Sequence, residues 1–141
     1  MRTNVDGLTT EELRASRDAW WTAEFDAFLL APFPDGLPAR VLDVGCGIGA
    51  LESRLARREG AATTFLGVDL DVQRLHEARR GSAGAAFLSA DGARLPFPDR
   101  SFDASVTVLT LQHVPDPARV LSEMRRTTRP GGLVVAVEPD N

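Results

Sequence analysis

The sequence holds no lysine, one cysteine and two histidines in 141 residues, and each shortage removes a class of function. All sixteen basic residues are arginines; against twenty acidic ones they leave a net charge of -4 and a pI near 5.1. That balance favours neither nucleic acid nor an anionic membrane as a partner. Cys46 has no second cysteine for an intrachain disulfide, and with only His76 and His113 beside it there is no zinc-ligand spacing, so no metal is expected. Met1 to Gly7 lack the apolar core of a secretion signal, and no run is long and apolar enough to span a bilayer, which makes the cytoplasm the expected compartment. Internal repeats and low-complexity segments are also missing. What remains, 43% hydrophobic and 26% charged, is ordinary for one globular domain with a core, and a second full domain is not expected.

Two textures divide the chain. Thr9 and Glu12 fit a capping box, after which Leu13, Trp20, Trp21, Phe25, Phe28 and Leu29 recur at helical spacing until Pro32 and Pro34. Residues 9–31 therefore read as one leading amphipathic helix, within an amino-terminal segment 1–39 expected to pack on or cap the site. From residue 40 to 141 short apolar runs alternate with helical segments. Strands are expected near 40–44, 63–69, 85–89, 103–109 and 132–138, with helices near 50–59, 71–80 and 116–128. The runs VTVL and LVVAV do not alternate strictly, as suits strands buried on both faces of a parallel sheet. Gly92 to Asp103 reads as a loop, and Arg129-Pro130-Gly131-Gly132 as a turn ahead of the last strand.

Chemistry concentrates at the strand ends. Val41-Leu42-Asp43-Val44-Gly45-Cys46-Gly47-Ile48-Gly49 is a buried strand entering a glycine-rich turn that opens a helix, where glycines let the chain turn sharply and let a ligand approach the main chain. Ending in Ala50, it also satisfies the dinucleotide fingerprint. Asp43 separates the two readings: a carboxylate there repels a pyrophosphate but suits a ligand bearing sulfonium and ammonium groups, and no basic residue lies between Val41 and Leu51. An alternative for Asp43 is a helix or turn cap, and for the glycines a plain tight turn. Asp69 closes the second strand twenty residues after Gly49, where a carboxylate accepts both hydroxyls of a ribose. Asp71, two residues on, reads as a helix N-cap. Asp91, in Ser89-Ala90-Asp91-Gly92, closes the third strand and can accept from an adenine amino group, with an Asx turn as the alternative.

In this order, VLDVGCGIG, GVDLD, SADGARLPFPDRSFDASVTVLTLQHVPD and RPGGLVVAVEP resemble the class I S-adenosylmethionine (SAM)-dependent methyltransferases, in particular the small-molecule group termed methyltransferase type 11. The resemblance runs from Val41 to Pro139. It implies that Asp43 and the loop Gly45, Cys46, Gly47 and Gly49 hold the methionine end, Asp69 the ribose and Asp91 the adenine, with Leu70 also among the cofactor-binding residues. Ala90 and Gly92 would pack near the base, and Leu109 and Thr110 near the sulfonium. The implied fold is a Rossmann-like, doubly wound α/β sheet of order 3-2-1-4-5 with the ligand at the carboxyl ends across the switch point. The implied activity is methyl transfer from SAM to a small-molecule acceptor, with S-adenosylhomocysteine as product.

Methyl transfer from a sulfonium is one displacement in which alignment and exclusion of water do most of the work, so an essential base need not exist. His113, after the fourth strand, is a weak candidate for a general base and reads equally as a residue that orients its loop; His76 reads as solvated. Trp20, Trp21 and Phe25 either wall the site or, as aromatic stripes at helical spacing commonly do, fill the core. The family continues past the fifth strand with further helices and two strands, so a truncated domain is expected, its last strand an apolar edge open to homodimer pairing. Two other readings stand beside the leading one: a SAM-binding module without catalysis, and an NAD-dependent oxidoreductase supported only by the glycine fingerprint.

Overall fold

The computed structural model describes residues 7–56, 58 and 62–140. Most of the Met1–Gly7 segment, and residues 57 and 59 of the helix expected over 50–59, lie outside the described residues.

The centre of the sheet is β1 (Arg40–Val44), flanked by β2 (Thr64–Asp69) and β4 (Phe102–Val108), with β3 (Ala86–Ser89) beyond β2 and β5 (Thr128–Val137) beyond β4. Every pairing is parallel and the order is β3-β2-β1-β4-β5, the doubly wound arrangement expected from the sequence. Side chains alternate between the two faces, and both faces are covered. Val41, Phe65, Ala104, Val106 and Val108 pack with Leu51 and Leu55 of α3 (Ala50–Leu55) and with Trp21 and Leu29. Leu42, Val44 and Val68 pack against Val120 and Met124 of α5 (Pro117–Thr127) on the opposite face. Val41, Leu42 and Val68 have no exposed surface, and burying each stabilises the fold by roughly 1.5–3 kcal/mol. A fourth helix, α4 (Val72–Gly81), follows β2 and seats Leu75 and Ala78 against Phe87. Its N-cap is Asp71, which accepts the amides of Gln73 and Arg74 as the sequence predicts.

Three expectations are corrected. The leading helix is two, α1 (Thr10–Trp20) and α2 (Ala23–Leu30). The Thr9–Glu12 capping box starts the first, but the Thr22 side chain accepts the Phe25 amide and starts the second, so the aromatic stripe crosses a break. Arg129-Pro130-Gly131-Gly132 is no turn ahead of the last strand: β5 begins at Thr128 and carries these residues as a bulge, since Phe102 pairs with Thr128 and Ala104 with Leu133. Asp103, the one residue opposite, binds the Arg129 side chain and the Arg40 amide, and a Cβ on Gly132 would collide with its carbonyl. The fourth strand stops at Val108 rather than 109 because Leu109 takes φ +54°, a left-handed conformation.

The segment between β3 and β4 is the expected loop, and α5 holds it. Arg126 donates to the carbonyls of Leu95 and Phe97 and to Asp99 and Glu123, while Glu123 accepts the Leu95 amide. These bonds fix the ground on which the third strand end sits.

Candidate functional site

Because all five strands run the same way, the carboxyl ends of β1, β2, β3 and β4 open on one crevice. A cavity of about 360 Å³ lies there. Gly45, Gly47, Asp69, Leu70, Ala90, Asp91, Gly92, Leu109, Thr110 and His113 line it, so ten of the thirteen residues singled out in the sequence share one wall system.

Each is set by local chemistry. Gly45, at φ +77°, lies so close to Thr110 that a Cβ would overlap that side chain, and the Thr110 hydroxyl donates to the Gly45 carbonyl. Gly47, at φ +55°, has open space where its Cβ would be. Asp69 accepts the amides of Gly47 and Asp71, both at 2.9 Å, and so ties the glycine loop to the end of β2. Leu70 is 68% exposed beside it. Asp91 is exposed and accepts the Ala93 amide in an Asx turn, while Gly92 packs so tightly on Val44 that no side chain fits. Leu109 carries its strained backbone to the cavity wall. His113 sits in the short 3-10 turn Leu111–His113, and His76 is exposed on α4.

Asp43, Cys46 and Gly49 stand behind that wall. Gly49 starts α3 at φ +74° and packs against Ala78 of α4 and Ser82 just past its end. Cys46 turns into the apolar contact with Leu75, Ala78 and Phe87, where burial first, and then the neighbouring acidic groups led by Asp43, push its thiol pKa up and leave it un-ionised. Asp43 is buried behind the glycine loop, in a small pocket shared with Arg17, Cys46 and Gly47. Burial pushes its carboxyl up to about 7; the nearby Asp69 charge adds to the rise, and hydrogen bonding to Glu52 and the charge of Arg17 oppose it.

Several residues at the site were not singled out by sequence. Arg17 reaches both pockets from α1, and with Ser16 it shares one helical face and the cavity lining with Leu13 and with Trp20, which the sequence offered as a wall residue. That i, i+3, i+4, i+7 spacing was available in the sequence, but it reads equally as a core-facing stripe. An Arg14–Glu77 ion pair at 2.8 Å links α1 to α4. The aromatic pair divides: Trp20 lines the cavity, while Trp21 is buried and donates from its indole to Asp26, which also holds Arg54. Arg74 of α4 also reaches the cavity. Glu138, after β5, accepts the amides of Thr110 and Leu111 at 2.9 and 2.8 Å. Glu52, on α3, is fully buried beside Asp43. Among the described residues no group of three acidic, cysteine or histidine side chains is placed to hold a metal ion.

The arrangement suits an elongated ligand with a polar end at the glycine loop, hydroxyls near Asp69 and a flat apolar end near Ala90 and Gly92. Known proteins resemble this chain in sequence and fold. The sequence model of a family described as a methyltransferase domain matches residues 42–136. An uncharacterized methyltransferase of Mycobacterium sp. (strain JLS) is 42% identical over 95 residues, covering 67% of this chain and 36% of the relative. A trans-aconitate 2-methyltransferase of Methylobacterium nodulans is 43% identical over 119 residues, covering 82% of this chain and 44% of the relative. The crystal structure of an S-adenosylmethionine-dependent methyltransferase from Mesorhizobium loti superposes with a TM-score of 0.66 at 35% identity, over 81% of this chain and 53% of that one. The chain thus spans less than half the length of these two curated relatives.

Proposed function

The chain belongs to the methyltransferase-domain family of class I SAM-dependent enzymes, and from that premise we propose that its cavity binds SAM and serves methyl transfer to a small-molecule acceptor. The observation that carries the reading is the convergence of the ends of β1, β2 and β3 on one cavity, bringing to it Gly47, Asp69 and Asp91 in that order. The residues fit the group. Open space over Gly47 leaves room for a ligand against the main chain. Asp69, held by two amides, keeps lone pairs for ribose hydroxyls, and Asp91 stands where an adenine amino group can donate. Asp43, behind the loop, supplies the negative potential that a sulfonium and an ammonium need, while Arg17 suits the carboxylate of the same amino-acid end. A pyrophosphate meets the opposite conditions, because the Asp43 carboxyl lies behind the loop that would have to hold it.

Bound there, SAM supplies a methyl group activated on a sulfonium. The protein's part is orientation and exclusion of water: α1 covers the cavity with Leu13 and Trp20, and Leu109 and Thr110 border the end of β4. In this reading the described part of the segment 1–39 acts as the cover, through α1. His113 is the candidate base where the acceptor is an alcohol or a protonated amine, and neutral amines, thiolates or activated carbons need none. Trans-aconitate, the substrate named for one relative, is a polyanion, and Arg74 at the cavity makes a carboxylate acceptor the first class to try. The edge of β5, where Leu133 and Val134 are part-exposed, keeps pairing with a second copy as a further proposal for sedimentation to test. No helix among the described residues is long and apolar enough to cross a membrane.

Isothermal titration with SAM, S-adenosylhomocysteine and NAD tests the reading. Binding of the first two, weakened in Asp69→Ala, is the expected result, and NAD binding without a response to SAM overturns it. Binding without turnover of any acceptor favours a SAM-binding module.

A further inference from the structure

Glu52 is the most unusual residue near the cavity. Its side chain has no exposed surface, and neither carboxyl oxygen receives a hydrogen bond from a donor among the described residues. An ionised carboxylate in that position would be strongly unfavourable. The position is built for it nonetheless. Strand alternation puts Asp43 on the face of Val41, toward α3, and a Cβ on Gly67 of β2 would lie 2.8 Å from a Glu52 oxygen, so the missing side chain makes the room. Asp43 pairs in register with that same Gly67, which brings its carboxyl to Glu52, and two carboxyls hydrogen-bond only by sharing a proton.

We propose that Glu52 is a positioning residue that acts through Asp43: held as a neutral acid beneath the glycine loop, it donates its proton's hydrogen bond to Asp43 and keeps the pair's single negative charge on the member nearer the cofactor's cationic end. The inference rests on the cofactor reading above. It accounts for the orphaned oxygens and for an acid in the first turn of α3, where a hydrophobic residue would fill the space without cost. Burial and the Asp43 charge both favour the protonated form of Glu52, while the Asp43 carboxylate gains a donor that water cannot supply there. Other groups facing the pair are Asp69 from β2, which opposes the charge on Asp43, Arg17 from α1, which favours it, and the Cys46 thiol, which stays neutral; β4 offers apolar Val108.

The test is the pH profile of SAM binding by titration calorimetry between pH 5.5 and 9, on the unsubstituted chain, Glu52→Leu and Glu52→Gln. Below the midpoint the unsubstituted chain is expected to lose affinity about tenfold per pH unit, as linkage to one proton requires. Without its donor, Asp43 takes up a proton more readily, so the Glu52→Leu midpoint moves up by about one unit and affinity near neutrality falls about tenfold. The Glu52→Gln amide still donates and recovers most of that affinity. An unshifted midpoint in a folded Glu52→Leu overturns the inference while leaving cofactor binding intact; absence of SAM binding by the unsubstituted chain at every pH overturns both. Carboxyl carbon NMR of the ligand-free, unsubstituted protein decides the matter even where the variants fail to fold: Glu52 is expected to remain protonated at pH 8 while Asp43 is ionised, and an ionised Glu52 at that pH overturns the inference.

Discussion

The carboxylate of Asp69 accepts the backbone N–H of Gly47 at 2.9 Å, so the end of β2 holds the loop that follows β1 before any ligand arrives. Its other oxygen takes the Asp71 amide at the start of α4. Asp69→Ala is therefore expected to lose about 2 kcal/mol of stability, the scale of hydrogen bonds to a charged acceptor. SAM affinity should fall more than about tenfold, which corresponds to 1.4 kcal/mol. Asp71→Ala removes only a helix cap and is expected to cost about 1 kcal/mol with affinity kept. Urea unfolding paired with titration calorimetry separates the two; equal losses of affinity would remove the special role of Asp69.

The loop glycines divide into one that the fold needs and one that the ligand needs. Gly45→Ala forces a methyl into Thr110 at a left-handed φ, and overpacking with backbone strain should destabilise by about 2–4 kcal/mol. Gly47→Ala meets no atom, so strain alone costs about 1 kcal/mol and the protein folds, but the methyl enters the space over the loop and weakens SAM binding. Chemical denaturation and SAM titration of both variants check this, and a Gly47→Ala protein that binds normally would place the ligand elsewhere.

The contrast between these glycines also marks how far the sequence can be read. Strand β1 was legible to the residue, because Val41, Leu42 and Val44 are buried whichever face they take, and the sheet order followed from what the family resemblance implies. The break after Trp20 was not, because the aromatic spacing continues across it and Thr22 is a cap only in retrospect. The Pro-Gly-Gly run misled for a related reason: a turn signal and a bulge have the same local chemistry, and only the Phe102–Thr128 pairing separates them. Asp69 and Asp91 stood out because strand ends make carboxylates conspicuous. Glu52 and Glu138 did not, since an acid on a short helix or past a last strand looks solvated until the tertiary fold buries it or hands it amides.

Glu138 braces the segment that follows β4. Its carboxylate accepts the Thr110 and Leu111 amides, at the point where the chain leaves β4 through the strained Leu109. Glu138→Ala leaves both donors without that partner and is expected to cost about 2 kcal/mol. Amide exchange at residues 110–112 should accelerate, and SAM affinity should drop several-fold. Hydrogen exchange by mass spectrometry reads the first effect directly; unchanged exchange across this segment would show that the turn is held by other contacts.

The buried pair predicts an inverted pH dependence of stability. Asp43 rises from 3.8 to about 7 on folding and Glu52 also rises, chiefly through burial, so between these limits the native chain binds protons that the unfolded chain has released. Stability then falls as pH increases from about 4 through 7, because the slope follows the protons bound by the unfolded chain minus those bound by the native one. At about 1.4 kcal/mol per unit the loss amounts to a few kcal/mol. Opposing it, Asp26 and Glu123 are lowered on balance, the first by hydrogen bonds to Arg54 and Trp21 that outweigh its burial, the second chiefly by its bond to Arg126, and their stabilisation disappears as pH falls through the acid range. The ligand-free protein should thus be most stable near pH 5, with a lower urea midpoint at pH 8. Glu52→Gln removes one of the two raised groups and should flatten the decline; a stability curve that instead rises from pH 5 to 8 would mean that both carboxyls are ionised in the native state.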